Sequence, residues 1–299
     1  MIDANIKYVN SDGVTLDLSG FPYKIKVEEL FDWAWEATMT DISSTRSNVN
    51  TFRRTSKSIS TKVWFCATGA DQISDLVNHF FEVTEVDVVK KTAGKLIINN
   101  QDYIECFITA GSNRKWQKTP AFDSRNITIL FPHPFWINEQ TQSYQPNASV
   151  IDIDEGDTIA LLGYPYQYNY GYDIEVVEGD SGDSGALVRM WEFDGIANAP
   201  FVLSIYGAVV NPRVNIDGHL YQVNVSLQED DKVVIDSRDK TVKLYRYASQ
   251  GGNVINAYMY QNFDSDIFKE IPCGRMVQVS SVARFTLTVY SERSEPQWI

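Results

Sequence analysis

Along most of this chain, apolar and polar positions alternate in short runs separated by Gly, Pro, Asn or Asp. Val14-Thr15-Leu16-Asp17-Leu18, Ile127 to Phe131, Phe201 to Tyr206, Leu220 to Leu227, Thr241 to Tyr245 and Phe285 to Tyr290 are rich in β-branched and aromatic residues. A period of two over so few residues predicts strands with one wet face. One segment departs from that period. In Asp71-Gln-Ile-Ser-Asp-Leu-Val-Asn-His-Phe-Phe-Glu82 the apolar residues Ile73, Leu76, Val77, Phe80 and Phe81 recur at the spacing of one helical face. The acidic first turn suits the positive end of a helix dipole. The expected fold is mainly β, with one conspicuous helix near 71–82 in the N-terminal half.

Between Asp41 and Thr61 the pattern changes character. The stretch holds ten Ser or Thr, four basic residues, no acid after Asp41 and few large apolar groups. It is too polar for a core element and too β-prone for a plain linker. It reads as an extended loop or hairpin that reaches away from its own domain to add to a neighbour's sheet edge, or else as a surface loop. Val49 and Phe52 are its apolar anchors. Arg46, Arg53, Arg54 and Lys57 have no acidic partner within it. A second change follows Phe131-Pro-His-Pro-Phe-Trp136, where Asn138 to Ser149 has linker composition. This places a boundary between an N-terminal domain, 1–137, and a C-terminal domain, 138–299, the last residues returning to the first. No repeat of fixed period is present.

Charge sharpens the division. Residues 1–137 carry 15 Lys and Arg against 16 Asp and Glu, whereas residues 138–299 carry 11 against 23. Acidity confined to one half repels a polyanion, so tight nucleic-acid binding is disfavoured. The longest apolar stretches, such as Val63 to Ala67, fall far short of a membrane span, and the first residues lack the apolar core of a secretory signal. Cys66, Cys106 and Cys273 are odd in number and far apart, and the chain has three histidines. Neither a disulfide scaffold nor a zinc ribbon fits, and no cofactor is implied.

Candidate chemistry is sparse. Gly179-Asp-Ser-Gly-Asp-Ser-Gly185 resembles the nucleophile loop of chymotrypsin-like serine proteases. Ser181 or Ser184 would need a histidine base oriented by a carboxylate. His79 falls in the predicted helix, His133 between two prolines, and His219 in a turn after the serines, so no catalytic residue is assigned. The acids around Asp152 to Asp157 and Glu229 to Asp231 lack the register of a calcium loop and read as solvated turns, so no metal site is assigned either. Tyrosines 164, 166, 168, 170 and 172 alternate. In a strand they would line one ribbon, and they fit a protein interface, packing within the domain or stacking on sugar rings. Pro165 favours an edge or loop for them.

A series of phrases in order gives the chain its resemblance to a family. They are Ile129-Leu-Phe-Pro-His-Pro-Phe-Trp136, Tyr164-Pro-Tyr166, Ile205-Tyr-Gly207 leading into Asn211-Pro-Arg-Val-Asn-Ile-Asp-Gly218, Val233-Val-Ile-Asp-Ser237, Ile267-Phe-Lys-Glu-Ile-Pro-Cys-Gly274 and Ser291-Glu-Arg-Ser-Glu-Pro-Gln-Trp298. Together they resemble the distal tail proteins of long-tailed phages. The likeness covers the second half well and the first loosely, through Phe21-Pro-Tyr23, and the 179–185 segment has no counterpart in it. It implies a tail-tube-like β-rich domain with a helix, followed by a galectin-like β-sandwich. It also implies a homo-hexameric ring in the virion, without catalysis, that joins tail-tube, tail-tip and receptor-binding proteins. Two of the phrases have a local reason. Asn211-Pro212 favours a turn, and Asp217-Gly218 is a hairpin signal. The rival expectation is a carbohydrate-binding β-sandwich module that meets a cell-surface glycan.

Overall fold

The computed structural model describes residues 5–27, 30–68, 70–112, 122–146, 188–247 and 252–297. The chain is mainly antiparallel β, and one α-helix occurs among the described residues. Two compact units are present. The first comprises Met1–Glu139 with Tyr290–Ile299, the second Gln140–Val289.

The first unit contains β1 (Ile6–Val9), β2 (Thr15–Asp17), β3 (Tyr23–Ile25), β4 (Glu36–Ser43), β5 (Arg46–Arg53), β6 (Lys57–Cys66), α1 (Ala70–Lys90), β7 (Gly94–Ile98), β8 (Asp102–Ser112), β9 (Phe122–Phe131) and the start of β10 (Trp136–Tyr144). β8 pairs with β10 and β7, β7 with β1, and β1 with β2; β9 joins β8 to β6, and β6 pairs with β3. Alternation explains which residues enter the core. In β6, Ile59, Thr61, Val63 and Phe65 are buried while Ser58, Ser60 and Lys62 face water. Helix α1 lays Val77, Phe80 and Val83 into the same core. There Phe80 meets Phe65 edge to face at 5.4 Å.

One buried polar pair fastens the helix to the sheet. The Tyr8 hydroxyl donates to the Asp87 carboxylate, which also accepts the Ser11 N–H at 2.7 Å. Tyr8 and Asp87 are both fully buried. Burial, reinforced by the hydrogen bond to Asp87, pushes the Tyr8 hydroxyl pKa far above its ordinary value.

The second unit contains β11 (Arg189–Glu192), β12 (Phe201–Tyr206), β13 (Val209–Val210), β14 (Arg213–Ile216), β15 (His219–Gln222), β16 (Ser226–Leu227), β17 (Lys232–Asp236), β18 (Thr241–Tyr245), β19 (Val254–Asn256), β20 (Met276–Ser281) and most of β21 (Arg284–Arg293). One sheet runs β19-β18-β17-β12-β21-β10 and another β11-β20-β14-β15. Leu203, Ile235, Val242 and Leu287 from the first meet Val214, Tyr221, Val277 and Val279 from the second in one core. The β14–β15 turn takes Asp217 and Gly218 to φ of 52° and 77°, the left-handed geometry of a two-residue hairpin. Asp231 is not the solvated turn residue expected. It is buried, accepts the N–H groups of Gln228 and Tyr247 at 3.0 and 2.9 Å, and pairs with Arg246. Burial alone would raise its pKa, but these hydrogen bonds and the guanidinium outweigh that and hold it below the usual carboxylate range.

Three elements differ from the sequence reading. Leu220 to Leu227, read as one strand, is divided between β15 and β16. α1 continues to Lys90, because Val83, Thr84 and Asp87 keep to the buried face although the Val-rich run after Glu82 is helix-poor. Residues 138–144, of linker composition, belong to strand β10. Their polar side chains suit a strand whose faces meet polar neighbours, as where Thr141 pairs with Thr288 at 3.0 Å.

Candidate functional site

Among the described residues β4 and β5 pair only with each other, and every residue of both is exposed. The hairpin begins at Glu36, five residues before the polar segment singled out in the sequence. It ends at Arg53, while Lys57 to Thr61 already belong to β6. The alternation of β6 is hidden in the sequence because Thr61 serves as a core residue.

The register sorts the hairpin into two faces, since residues opposite each other in an antiparallel pair share a face. Ala37 lies opposite Phe52 and Met39 opposite Val49. The register shift leaves Asn50 as the extra residue of β5, so these four stay on one side. On the other side Glu36 faces Arg53, with an ion pair at 3.3 Å, and Thr38 faces Thr51. Near the tip, Asn50 donates to the Thr40 hydroxyl at 2.6 Å, and the Ser47 hydroxyl to the Asp41 carboxylate at 2.6 Å. The result is an exposed ribbon with one polar face and one apolar face, the latter ending at the tip in the Asp41–Ser47 pair and left bare by the first unit. Met39 is 59% and Phe52 61% exposed.

The root of the ribbon is held by aromatic rings and the C-terminal strand. Arg54 lies over the Phe135 ring at 4.5 Å and the Trp35 ring at 5.8 Å, and the two rings meet at 5.7 Å. His133 packs against Phe135 at 4.9 Å and bonds Glu292 through Nε2 at 2.9 Å. The Trp33 indole donates to Glu295 at 2.8 Å, and the Lys57 ammonium to the Asp32 carbonyl. A cleft of about 430 Å³ lies beside the root, lined by Trp33, Glu36, Arg54, Lys57 and Pro134 among others.

The sequence-derived candidates therefore have different surroundings. Val49 and Phe52 share the bare face, Arg53 is paired with Glu36, Arg54 is stacked at the root, and Lys57 turns to the Asp32 carbonyl. Tyr164, Tyr166, Tyr168, Tyr170, Ser181 and Ser184 lie outside the described residues. Met39, Trp33 and Trp35 escaped the sequence reading, although Trp33, Trp35, Ala37 and Met39 alternate just ahead of the polar segment. Among the described residues no three His, Cys, Asp or Glu side chains converge, and no helix is long and apolar enough to cross a membrane. His219 Nε2 lies 2.7 Å from the Asp266 carbonyl.

The root has a pH dependence of known sign. The hydrogen bond to Glu292 raises the His133 pKa above its ordinary value, against burial, which lowers it. The stabilisation is complete below the unfolded value of about 6.5 and is lost as pH rises through the folded one. Both groups are partly open to water, so the contribution is below about 1 kcal/mol. His133→Gln should therefore lower the melting temperature slightly at pH 5.5 and not at pH 9, measured by calorimetry; equal losses at both would refute the linkage.

No family model and no curated relative matches the sequence. Solved structures do. The Dit protein (gp 19.1) of phage SPP1, described as a paradigm of the hub adsorption apparatus of phages that infect Gram-positive hosts, superposes with a TM-score of 0.58 at 8% identity, over 97% of this chain and 99% of that one. The fold is that of SPP1 Dit. A chain of the phage P2 baseplate in its activated, calcium-bound conformation matches with a TM-score of 0.61 at 13% identity, over 99% of this chain and 100% of that one. Its strontium-bound counterpart matches at 0.60 and 13%. The Dit fold accounts for nearly the whole chain, so the likeness to distal tail proteins read from the second half extends to the first at the level of fold.

Proposed function

We propose that this chain is a structural tail-tip protein of a phage virion, a ring-forming hub that joins the tail tube to the baseplate or receptor-binding machinery. One observation carries the reading: an end-to-end fold likeness to a phage hub protein and to phage baseplate chains, with almost nothing left over on either side. A fold by itself does not fix a function, and the bare-faced hairpin adds a local reason, since it is built for contact outside its own unit. In this reading residues 1–137 form the tail-tube-like ring domain and 138–299 a galectin-like β-sandwich, each a folding unit. The ring is a homo-hexamer and carries no catalysis. Val49 and Phe52 are its interface anchors, with Arg53, Arg54 and Lys57 setting the hairpin. Tyr164, Tyr166, Tyr168 and Tyr170 are contacts for partner chains.

The rival reading, a sugar-binding module, draws on one feature. Tyr258, Met259, Tyr260 and Phe263 in the second unit are exposed together, and aromatic faces stack on sugar rings. Stoichiometry separates the two. Light scattering with negative-stain microscopy, on the chain alone and mixed with the adjacent tail proteins, should give a six-membered ring in at least the second case. A monomer in both, combined with glycan binding, would overturn the hub.

A further inference from the structure

We infer that the outward face of the sheet β19-β18-β17-β12-β21-β10, in the second unit, binds an anionic glycan. The inference goes beyond the hub reading and does not depend on the ring. Leu203, Ile205, Val233, Ile235, Leu244 and Phe285 turn into the core, so the residues that alternate with them face outward. The register sets those side chains in rows. Tyr245 of β18 stands opposite Lys232 of β17, Lys232 opposite Tyr206 of β12, and Tyr206 opposite Arg284 of β21. Ring and cation alternate across four strands. Lys232 lies over the Tyr245 ring at 5.0 Å and Arg284 over the Tyr206 ring at 5.1 Å, contacts that hold both cations in the row. In the next row Lys243 is followed by Val234, Ser204, Thr286 and Ser143.

The charge of this face runs against that of its surroundings. Residues 138–299 hold 23 acidic against 11 basic residues, yet Lys232, Lys243 and Arg284 have no ion pair among the described residues. Elsewhere in the unit Arg246 and Arg275 are taken by Asp231 and Asp217. Asp236 is the one carboxylate among the described outward residues of these strands within the unit, and it is paired with Arg238 at 3.6 Å. Three cations are thus left together. Much of the remaining face is hydroxyl, from Ser204, Thr286 and Ser143 and, one row on, from Thr288 and Thr141, which meet at 3.0 Å. Lys232 and Arg284 stand two strands, or about 10 Å, apart. That arrangement matches a chain whose anions are separated by uncharged, hydroxyl-bearing units. Nucleic acid carries a charge on every nucleotide, and the acids of the unit would repel it. An acidic peptide would need apolar anchors seated in pockets, which a face paved with hydroxyls does not provide. A glycan with a carboxylate or phosphate on spaced sugars supplies anions for the cations and hydroxyls for the hydroxyls.

Calorimetry on the full-length chain at physiological salt tests the face. Hyaluronan oligosaccharides carry the carboxylate and phosphomannan the phosphate; at least one should bind, and more tightly than its carboxyl-reduced or dephosphorylated form, which tells the two anions apart. Lys232→Glu with Arg284→Glu should weaken that binding at least about tenfold, and Lys243→Glu alone should weaken it less. Lys62→Glu with Lys269→Glu makes the same change of net charge away from the face and should leave binding as it was, with all variants melting close to the parent chain. Equal losses from both pairs, tighter binding of poly-glutamate than of either glycan, or binding of neither glycan would overturn the inference. Rings without glycan binding leave the hub standing and overturn the face. Binding by a chain that forms no ring even with the adjacent tail proteins supports the face and overturns the hub.

Discussion

Deleting Ala37 to Phe52, with Glu36 and Arg53 joined by a short Gly-Ser turn, leaves a monomer that melts close to the parent chain and forms no ring. The two halves of that expectation have separate physical sources. Stability survives because no residue of the hairpin is buried, so the unit loses no core contact. Assembly is expected to fail because, in the ring reading proposed above, association rests on the bare face. Burying Phe, Met and Val side chains is worth about 1.5–3 kcal/mol each, whereas an exposed ion pair contributes about 0–1 kcal/mol. Truncating only Met39, Val49 and Phe52 to serine should therefore approach the deletion in effect. Changing Arg53 to alanine removes one exposed pair with Glu36 and should weaken rings only slightly. The cut must stop short of Lys57, because Ile59 and Thr61 belong to the core of β6. Sedimentation velocity reads assembly and calorimetry reads folding; rings of parental stability from the deleted chain would refute the assignment.

A large loss of stability from a single added methyl group is expected at Gly94, far from the hairpin. A Cβ at this position would collide with the Asp87 carboxylate and stand 2.6 Å from the Tyr8 hydroxyl oxygen. Both groups are buried, and one is on a packed helix, so neither can swing into solvent. Gly94→Ala thus adds overpacking, about 1–3 kcal/mol, to the disruption of a buried hydrogen bond, about 1–3 kcal/mol for each group left unsatisfied. Against a total of about 5–15 kcal/mol, the melting temperature should fall by roughly 5–15 °C. Gly20→Ala is the matched control, since a methyl group there would meet nothing within 4 Å and its φ is not in the left-handed region. A loss at Gly94 no larger than at Gly20 would mean that the pair at Asp87 yields easily.

What the sequence revealed about this fold depended on whether local pattern and tertiary demand coincided. β12 and β18 occupy the stretches read as strands, Phe201 to Tyr206 and Thr241 to Tyr245, because each alternates and is bounded by turn residues. The helix was legible over its strongly apolar first half and lost after Glu82, where valines read as strand formers and the inward-facing residues besides Val83 include Thr84 and Asp87. Those two are buried through hydrogen bonds and packing that no periodicity reveals. β10 was illegible for the opposite reason: residues 138–143 are polar, and their strand character comes from pairing with β8 and with the distant β21. The hairpin was legible as a polar, β-prone excursion, but its apolar face was not. Ala37 and Met39 sit outside the polar segment, and the extra residue Asn50 breaks the alternation that would have aligned them with Val49 and Phe52.

The path of the chain through the two units has a consequence for how such a protein changes over generations. The second unit begins and ends inside the sequence of the first, entered through β10 and left through β21. It is therefore an insertion, and a module held at two points can be lengthened, shortened or exchanged without reordering the strands of its host. The returning strand limits that freedom at one place. After Val289 it carries Glu292 to His133 and Glu295 to Trp33, the contacts that fasten the root of the hairpin. A graft that keeps these last residues preserves the grip on the ribbon, and one that replaces them trades away the orientation of the arm along with the cargo.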